Sequence, residues 1–202
     1  MKPEAFTTVQ RVLEADHQAT ITGIASQVDS PTVFLIDEFH PSDPLIDDNI
    51  SIAKTLIRIA GVTLIGVEGC AGDRISIQDL KNPFLGRCFG GRHRFTVAML
   101  GCSGLEVVGV DSPELCGQIE EDCLQGKWTA GNHPSEVLRS AYMAKTIIEK
   151  LRARGGTQAV ILNGGARHND DIQTIVLGAN RDQVGADVVS FVRVRSRLFP
   201  RL

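Results

Sequence analysis

The chain has 202 residues, a formal net charge of −3 at pH 7, and 43% hydrophobic against 22% charged residues. That balance reads as a single globular domain spanning residues 1–202, long enough to bury an ordinary core. The slight acidity gives no support to a general nucleic-acid or membrane-surface role, and no apolar stretch is long enough to span a bilayer.

In chain order, residues 4–16 read as an amphipathic helix, with Phe6, Val9, Val12 and Leu13 on one stripe. A strand is expected over 32–37 (Thr32-Val33-Phe34-Leu35-Ile36 and onward), then a loop punctuated by Pro41 and Pro44. A helix over 45–60 presents Ile46, Ile50, Ala53, Leu56 and Ile57 to a sheet, and Gly61 stops it. The second strand is expected over 62–67. Together these form a βαβ unit, which is right-handed with parallel strands. Residues 69–104 read as a loop, a basic excursion and a short helix near 94–101. A third strand follows at 106–110, with a helix after Pro113. A long helix runs to about Arg154, opened by Asn132-His133-Pro134-Ser135, where either Asn132 or Ser135 supplies the cap. The fourth strand is expected over 158–163, a short helix over 169–178 and a last strand over 186–194. The expected fold is therefore a single α/β domain with a mostly parallel sheet of about five strands.

Four of these strands end in turns rich in carboxylates or histidine: Asp37-Glu38-Phe39-His40, Glu68-Gly69, Asp111-Ser112 and Gly164-Gly165-Ala166-Arg167-His168. The runs before them are apolar and β-branched, as strands covered on both faces are. Open parallel sheets collect ligands outside the carboxyl ends of their strands, so these turns mark a candidate site. A histidine beside a carboxylate can act as general base for water. A second carboxylate can orient it, and an arginine can stabilise an oxyanion. The same histidines with Glu38 or Glu68 would equally suit a divalent metal. These two mechanisms stay open.

The motifs fall in a set order: Glu38-Phe39-His40 after a strand, Glu68 ending the next, Arg139-Ser140-Ala141-Tyr142-Met143-Ala144 on a helix, and Gly165-Ala166-Arg167-His168 after a later strand. This order resembles the superfamily that unites erythromycin esterase-like enzymes, TraB and Tiki proteins, and ChaN-type haem-binding proteins. The resemblance implies a Tiki-like fold with Glu38, His40, Glu68, Arg139 and His168 as catalytic residues; Asp37, Asp111 and Arg167, in the same strand-end turns, are expected to bind substrate. Asp37 stands where the family more often has glycine. The compact chain lacks the large helical insertions that would build a macrolide pocket, and it shows no lipoprotein signal of the kind haem-uptake members carry. The resemblance also extends to bacterial effectors that act inside a host cell.

Blander roles are weighed against these. Asp111 could simply cap the helix at Pro113, and Arg139 could pair internally with Glu38 or Glu68 while also contacting substrate. Met143 and Ala144 read as packing, His17 and His93 as solvated, and His133 as shaping a turn. Arg87, Arg92 and Arg94 read as a solvated loop rather than an anion pocket. There is no Gly-x-Gly-x-x-Gly and no P-loop Lys-Ser or Lys-Thr, so a nucleotide is not expected at Gly164-Gly165. The cysteines Cys70, Cys88, Cys102, Cys116 and Cys123 are odd in number without a CxxC. That pattern, with no secretory segment visible, favours reduced thiols and a cytoplasmic setting.

The leading expectation is hydrolysis of an ester or amide bond in a small-molecule or peptide substrate, with His40 or His168 as base and Arg139 stabilising developing charge. The alternatives are a non-enzymatic binder of haem or a similar ligand, and a secreted bacterial effector using the same crevice.

Overall fold

The computed structural model describes residues 6–12, 31–38, 43–69, 71–72, 74–81, 90–128, 133–154, 159–178, 182 and 189–196. Their strands are β1 (Phe6–Val12), β2 (Thr32–Glu38), β3 (Leu64–Val67), β4 (Ala71–Gly72), β5 (Glu106–Val110), β6 (Ala159–Gly165) and β7 (Ser190–Ser196). The helices are α1 (Asp43–Ala60), α2 (Gly90–Leu100), α3 (Pro113–Leu124), α4 (Ser135–Ala153) and α5 (Ala166–Leu177), with a 3-10 turn at Asp79–Lys81.

All seven strands join one sheet in the order β1-β7-β2-β6-β3-β5-β4, larger than the expected five. Every pairing is parallel except the short β4, which runs antiparallel to β5 at the edge. The expected N-terminal helix is a strand over its described part: β1 pairs in parallel with β7. Phe6, Val9 and Val12 do recur at helical spacing. Thr7, Thr8, Val9 and Val12 are β-branched, however, and favour an extended chain that has a partner strand to join.

The two sheet faces follow strand alternation. Phe34, Ile36, Ile65, Val67, Val107, Val192 and Val194 pack with Ile52 and Leu56 of α1 and Phe95 and Met99 of α2. Val33, Leu35, Leu64, Val108, Val110 and Phe191 pack with Met143, Ile147 and Leu151 of α4 and Ile172 and Val176 of α5 on the other face. The buried positions Met143 and Ala144 are packing residues, as read.

The connections locate a crevice. β2 leads through α1 across the first face to β3, passing over β6. β6 leads through α5 across the second face to β7, passing over β2. Neighbouring strands β2 and β6 thus send their chains in opposite directions, which makes a topological switch point at their carboxyl ends. There Glu38 lies in register with Gly165.

One buried ion cluster closes the second face beside that point. The Asp37 carboxylate is fully buried. It accepts from Arg193 Nε at 2.9 Å, Arg195 Nε at 2.5 Å and Asn169 Nδ2 at 2.8 Å. Arg193 also donates to Asp170, to Gln173 at 3.2 Å and to the Ala166 carbonyl at 3.0 Å, tying β7 to the first turns of α5. Burial opposes its charge, but Asp37 and Asp170 outweigh burial and raise its pKa. We predict that Arg193→Ala, which strips a fully buried carboxylate of one counter-ion, lowers unfolding free energy by roughly 3–5 kcal/mol. Urea unfolding measures it, and a loss below about 1 kcal/mol would show that Arg195 and Asn169 suffice.

Candidate functional site

The site is built on α4, whose N-terminal end lies at the carboxyl edge of the sheet. Its buried stripe starts with polar residues and continues with Met143, Ala144, Ile147, Ile148 and Leu151. Glu136, Arg139 and Ser140 share that stripe at helical spacing, so they reach the strand ends while the rest of the helix packs on the sheet. Pro134 stands at the N-cap without a side-chain cap hydrogen bond, and Ser135 is the first helical residue rather than the cap. The buried His133 ring shapes the turn: Nδ1 accepts from Ser135 N at 3.0 Å, and Nε2 meets Asp122 Oδ2 at 3.1 Å.

Arg139 is the centre of the cluster. Its Nε donates to Asp111 Oδ1 at 2.8 Å and Nη2 to Asp111 Oδ2 at 2.5 Å, a bidentate grip. Nη2 also reaches Glu68 Oε1 at 3.0 Å. Nη1 makes the two longest contacts, to His168 Nε2 at 3.2 Å and Glu136 Oε2 at 3.4 Å. Burial alone would disfavour the guanidinium charge, yet Asp111 and Glu68 hold it firmly protonated.

The carboxylates are not left to Arg139 alone. Glu68 Oε2 accepts from Gly165 N at 2.6 Å. Asp111 accepts from Gly69 N at 2.7 Å and from Ser112 N at 2.9 Å. The Gly165 amide that a phosphate-binding turn would offer is therefore committed to Glu68.

The structure brings Glu68, Asp111, Arg139 and His168 together, and adds Glu136. Glu38 is buried at the adjacent strand end, and strand alternation places it on the α1 face, opposite Asp37. His40 lies outside the described residues, as do His17, Cys70, Cys88, Arg87 and Asn132. Arg167 is exposed at the start of α5. Asp37, expected to bind substrate, has its carboxylate fully buried in the Arg193–Arg195 cluster. Asp111 does not cap α3; Ser112 does, accepting from Leu115 N at 3.3 Å. Arg139 pairs with Glu68, one of its two expected partners, and also with Asp111, which the sequence did not suggest. Arg94 lies on α2, within the expected short helix, and is solvated, pairing on the surface with Asp47 at 2.6 Å.

Glu136, Ser140 and Arg193 were missed as site or network members. The spacing Glu136–Arg139–Ser140 was legible, but an acidic residue in a helix's first turn ordinarily serves the dipole. Among the described residues, no group of three or more His, Cys, Asp or Glu could hold a metal ion. Glu68 and His168 both contact the Arg139 guanidinium.

No family model and no curated protein matches the chain. Among solved structures, it is similar to the type III effector HopBA1 at 17% identity over 77% of this chain and 74% of that one, with a TM-score of 0.47. It is also similar to RRSP, a MARTX toxin effector domain from Vibrio vulnificus CMCP6, at 17% identity over 75% of this chain and 32% of that one, with a TM-score of 0.40. The chain itself is a mixed α/β protein. Among the described residues no helix is long and apolar enough to cross a membrane.

Cys116 on α3 borders the cluster, and its thiol is pushed up to about 12, first by burial and then by the Asp111 carboxylate. Its thiolate fraction near neutral pH is then roughly a thousand-fold below that of an ordinary thiol. Iodoacetamide at mildly alkaline pH should leave Cys116 unmodified in the folded chain and label it in urea, as read by peptide mass spectrometry. Rapid labelling in the folded chain would contradict this electrostatic picture.

Proposed function

We propose that the crevice hydrolyses an ester or amide bond, with His168 as general base and Arg139 Nη1 as the group that meets developing negative charge. The observation carrying this reading is the division of labour within Arg139. Nε and Nη2 are anchored on Asp111 and Glu68 at 2.5–3.0 Å, while Nη1 rests more loosely on His168 and Glu136 at 3.2 and 3.4 Å. A substrate carbonyl entering between Nη1 and His168 would take the loose donor. That releases Nε2 of the imidazole to accept a proton from water. Water then adds to the carbonyl carbon, the oxyanion forms against Nη1, and the imidazolium returns its proton to the leaving oxygen or nitrogen. Neighbouring Glu68 and Glu136 carboxylates, 3.4 and 3.5 Å from Nε2, stabilise the transient imidazolium. His40, two residues after Glu38 in the sequence, is the second candidate base that the motif order supplies.

This mechanism is the one that members of the erythromycin esterase and Tiki group would lead one to look for, and the resemblance of motif order supports it. Acting as an exported effector would be a question of where this chemistry occurs and would use the same residues. A haem or small-ligand binder would use the crevice without turnover.

The test is a panel of p-nitrophenyl esters and anilides. We expect the protein to cleave at least one class. His168→Gln keeps a hydrogen-bonding side chain at this buried position and should lower kcat by roughly a hundred-fold or more at an unchanged melting temperature. His40→Ala, run in parallel, identifies which histidine is the base. No turnover on the panel, or full activity in both variants, would overturn the reading.

A further inference from the structure

We infer that Ser140, with Asp171 and the Glu136 carbonyl behind it, fixes His168 as its Nδ1–H tautomer and so sets Nε2 as the bare nitrogen facing the crevice. Ser140 is therefore a positioning residue. Its effect on rate rests on the hydrolytic reading above; the tautomer does not.

The assignment follows from counting protons at both ends of the ring. Ser140 Oγ carries a single proton. It lies 2.9 Å from the Glu136 carbonyl and 2.9 Å from Asp171 Oδ2. A carbonyl and a carboxylate can only accept, so the hydroxyl proton is drawn to one of them. His168 Nδ1, 2.8 Å from the same oxygen, must then donate to it. At the other end Nε2 faces Arg139 Nη1 at 3.2 Å. A guanidinium has donors and no acceptor, so Nε2 must present its lone pair.

The Nε2–H tautomer fails at both ends. It would set N–H against N–H at Arg139, and its nearest acceptors, Glu68 Oε1 and Glu136 Oε2, stand at 3.4 and 3.5 Å. It would also require Ser140 to turn its proton away from two acceptors at once. A resting imidazolium meets the same donor clash. Ser140 is 0% exposed and His168 7%, so the ring's partners are protein groups rather than bulk water.

The consequence is chemical. A base in this crevice needs its lone pair on Nε2, since Nδ1 points into the α4–α5 interface. Without Ser140, Nδ1 loses its acceptor, and the proton can move to Nε2 toward Glu68 or Glu136. The lone pair would then be buried on the wrong side.

Nitrogen NMR of the full chain with isotopically labelled histidine tests this, the His168 signals being assigned by their loss in His168→Gln. Near neutral pH the wild type should show a protonated Nδ1 and a bare Nε2. Ser140→Ala should shift the proton to Nε2, and Ser140→Thr, which keeps the hydroxyl, should restore the wild-type pattern. On any cleaved substrate Ser140→Ala should lower kcat by roughly a hundred-fold or more with little change in KM. A wild-type His168 that is Nε2–H or doubly protonated overturns the inference, and that measurement decides even if Ser140→Ala fails to fold. A Ser140→Ala ring that stays Nδ1–H overturns it too. If the tautomer switches as expected and no ester or amide is cleaved, the tautomer assignment stands and the hydrolytic reading falls.

Discussion

The Glu68–Asp111 part of the sheet's carboxyl edge depends on one part-buried guanidinium. Glu68 and Asp111 end neighbouring strands with side chains about as buried as the core, each 2% exposed. Two ionised carboxylates so placed repel one another and forfeit hydration, a penalty of several kcal/mol per ion unless compensated. Arg139 compensates both. It can do so because its planar fork offers five donors in fixed directions, which a lysine ammonium does not. The backbone amides of Gly69, Ser112 and Gly165 share the load. The strand-end turns are thus shaped around the carboxylates as much as the carboxylates are held by the turns.

A second compensated carboxylate, Asp37, lies on the same sheet face and is used differently. Its cluster with Arg193, Arg195 and Asn169 binds β2, β7 and α5 together. Asp37 is wholly enclosed, whereas Arg139 keeps 13% of its side chain accessible and its Nη1 contacts are its longest. The two clusters divide the work: one fixes the helix that carries His168, and the other leaves a cation's most loosely held edge beside that histidine. α5 serves both, since Asn169 and Asp170 face the Asp37 side while His168 and Asp171 face α4.

Much of this was legible in the sequence because buried parallel strands announce themselves as short β-branched runs, and the runs before Asp37, Glu68, Asp111 and Gly164 all did. Ordered motifs then singled out Glu68, Arg139 and His168 before any geometry was known. The misreadings have physical causes. Phe6, Val9 and Val12 satisfy a helical stripe, and only the availability of β7 as a parallel partner makes the segment a strand. β4 has two residues, too few for any periodicity. Asp37 and Glu38 are adjacent, so alternation sends them to opposite faces; grouping them in one site overlooked that. The helical spacing of Glu136, Arg139 and Ser140 was legible, but the roles of Glu136, Ser140 and Arg193 come from tertiary juxtaposition, α4 meeting His168 and β7 meeting Asp37.

The most direct test of the central claim is a double-mutant cycle on Asp111→Ala and Arg139→Ala, followed by urea unfolding. If Arg139 is anchored on Asp111 as the geometry has it, the pair should show a coupling free energy on the order of 1.5–3 kcal/mol. Additive effects, with coupling below about 0.5 kcal/mol, would contradict the account and leave the edge of the sheet without its organising charge.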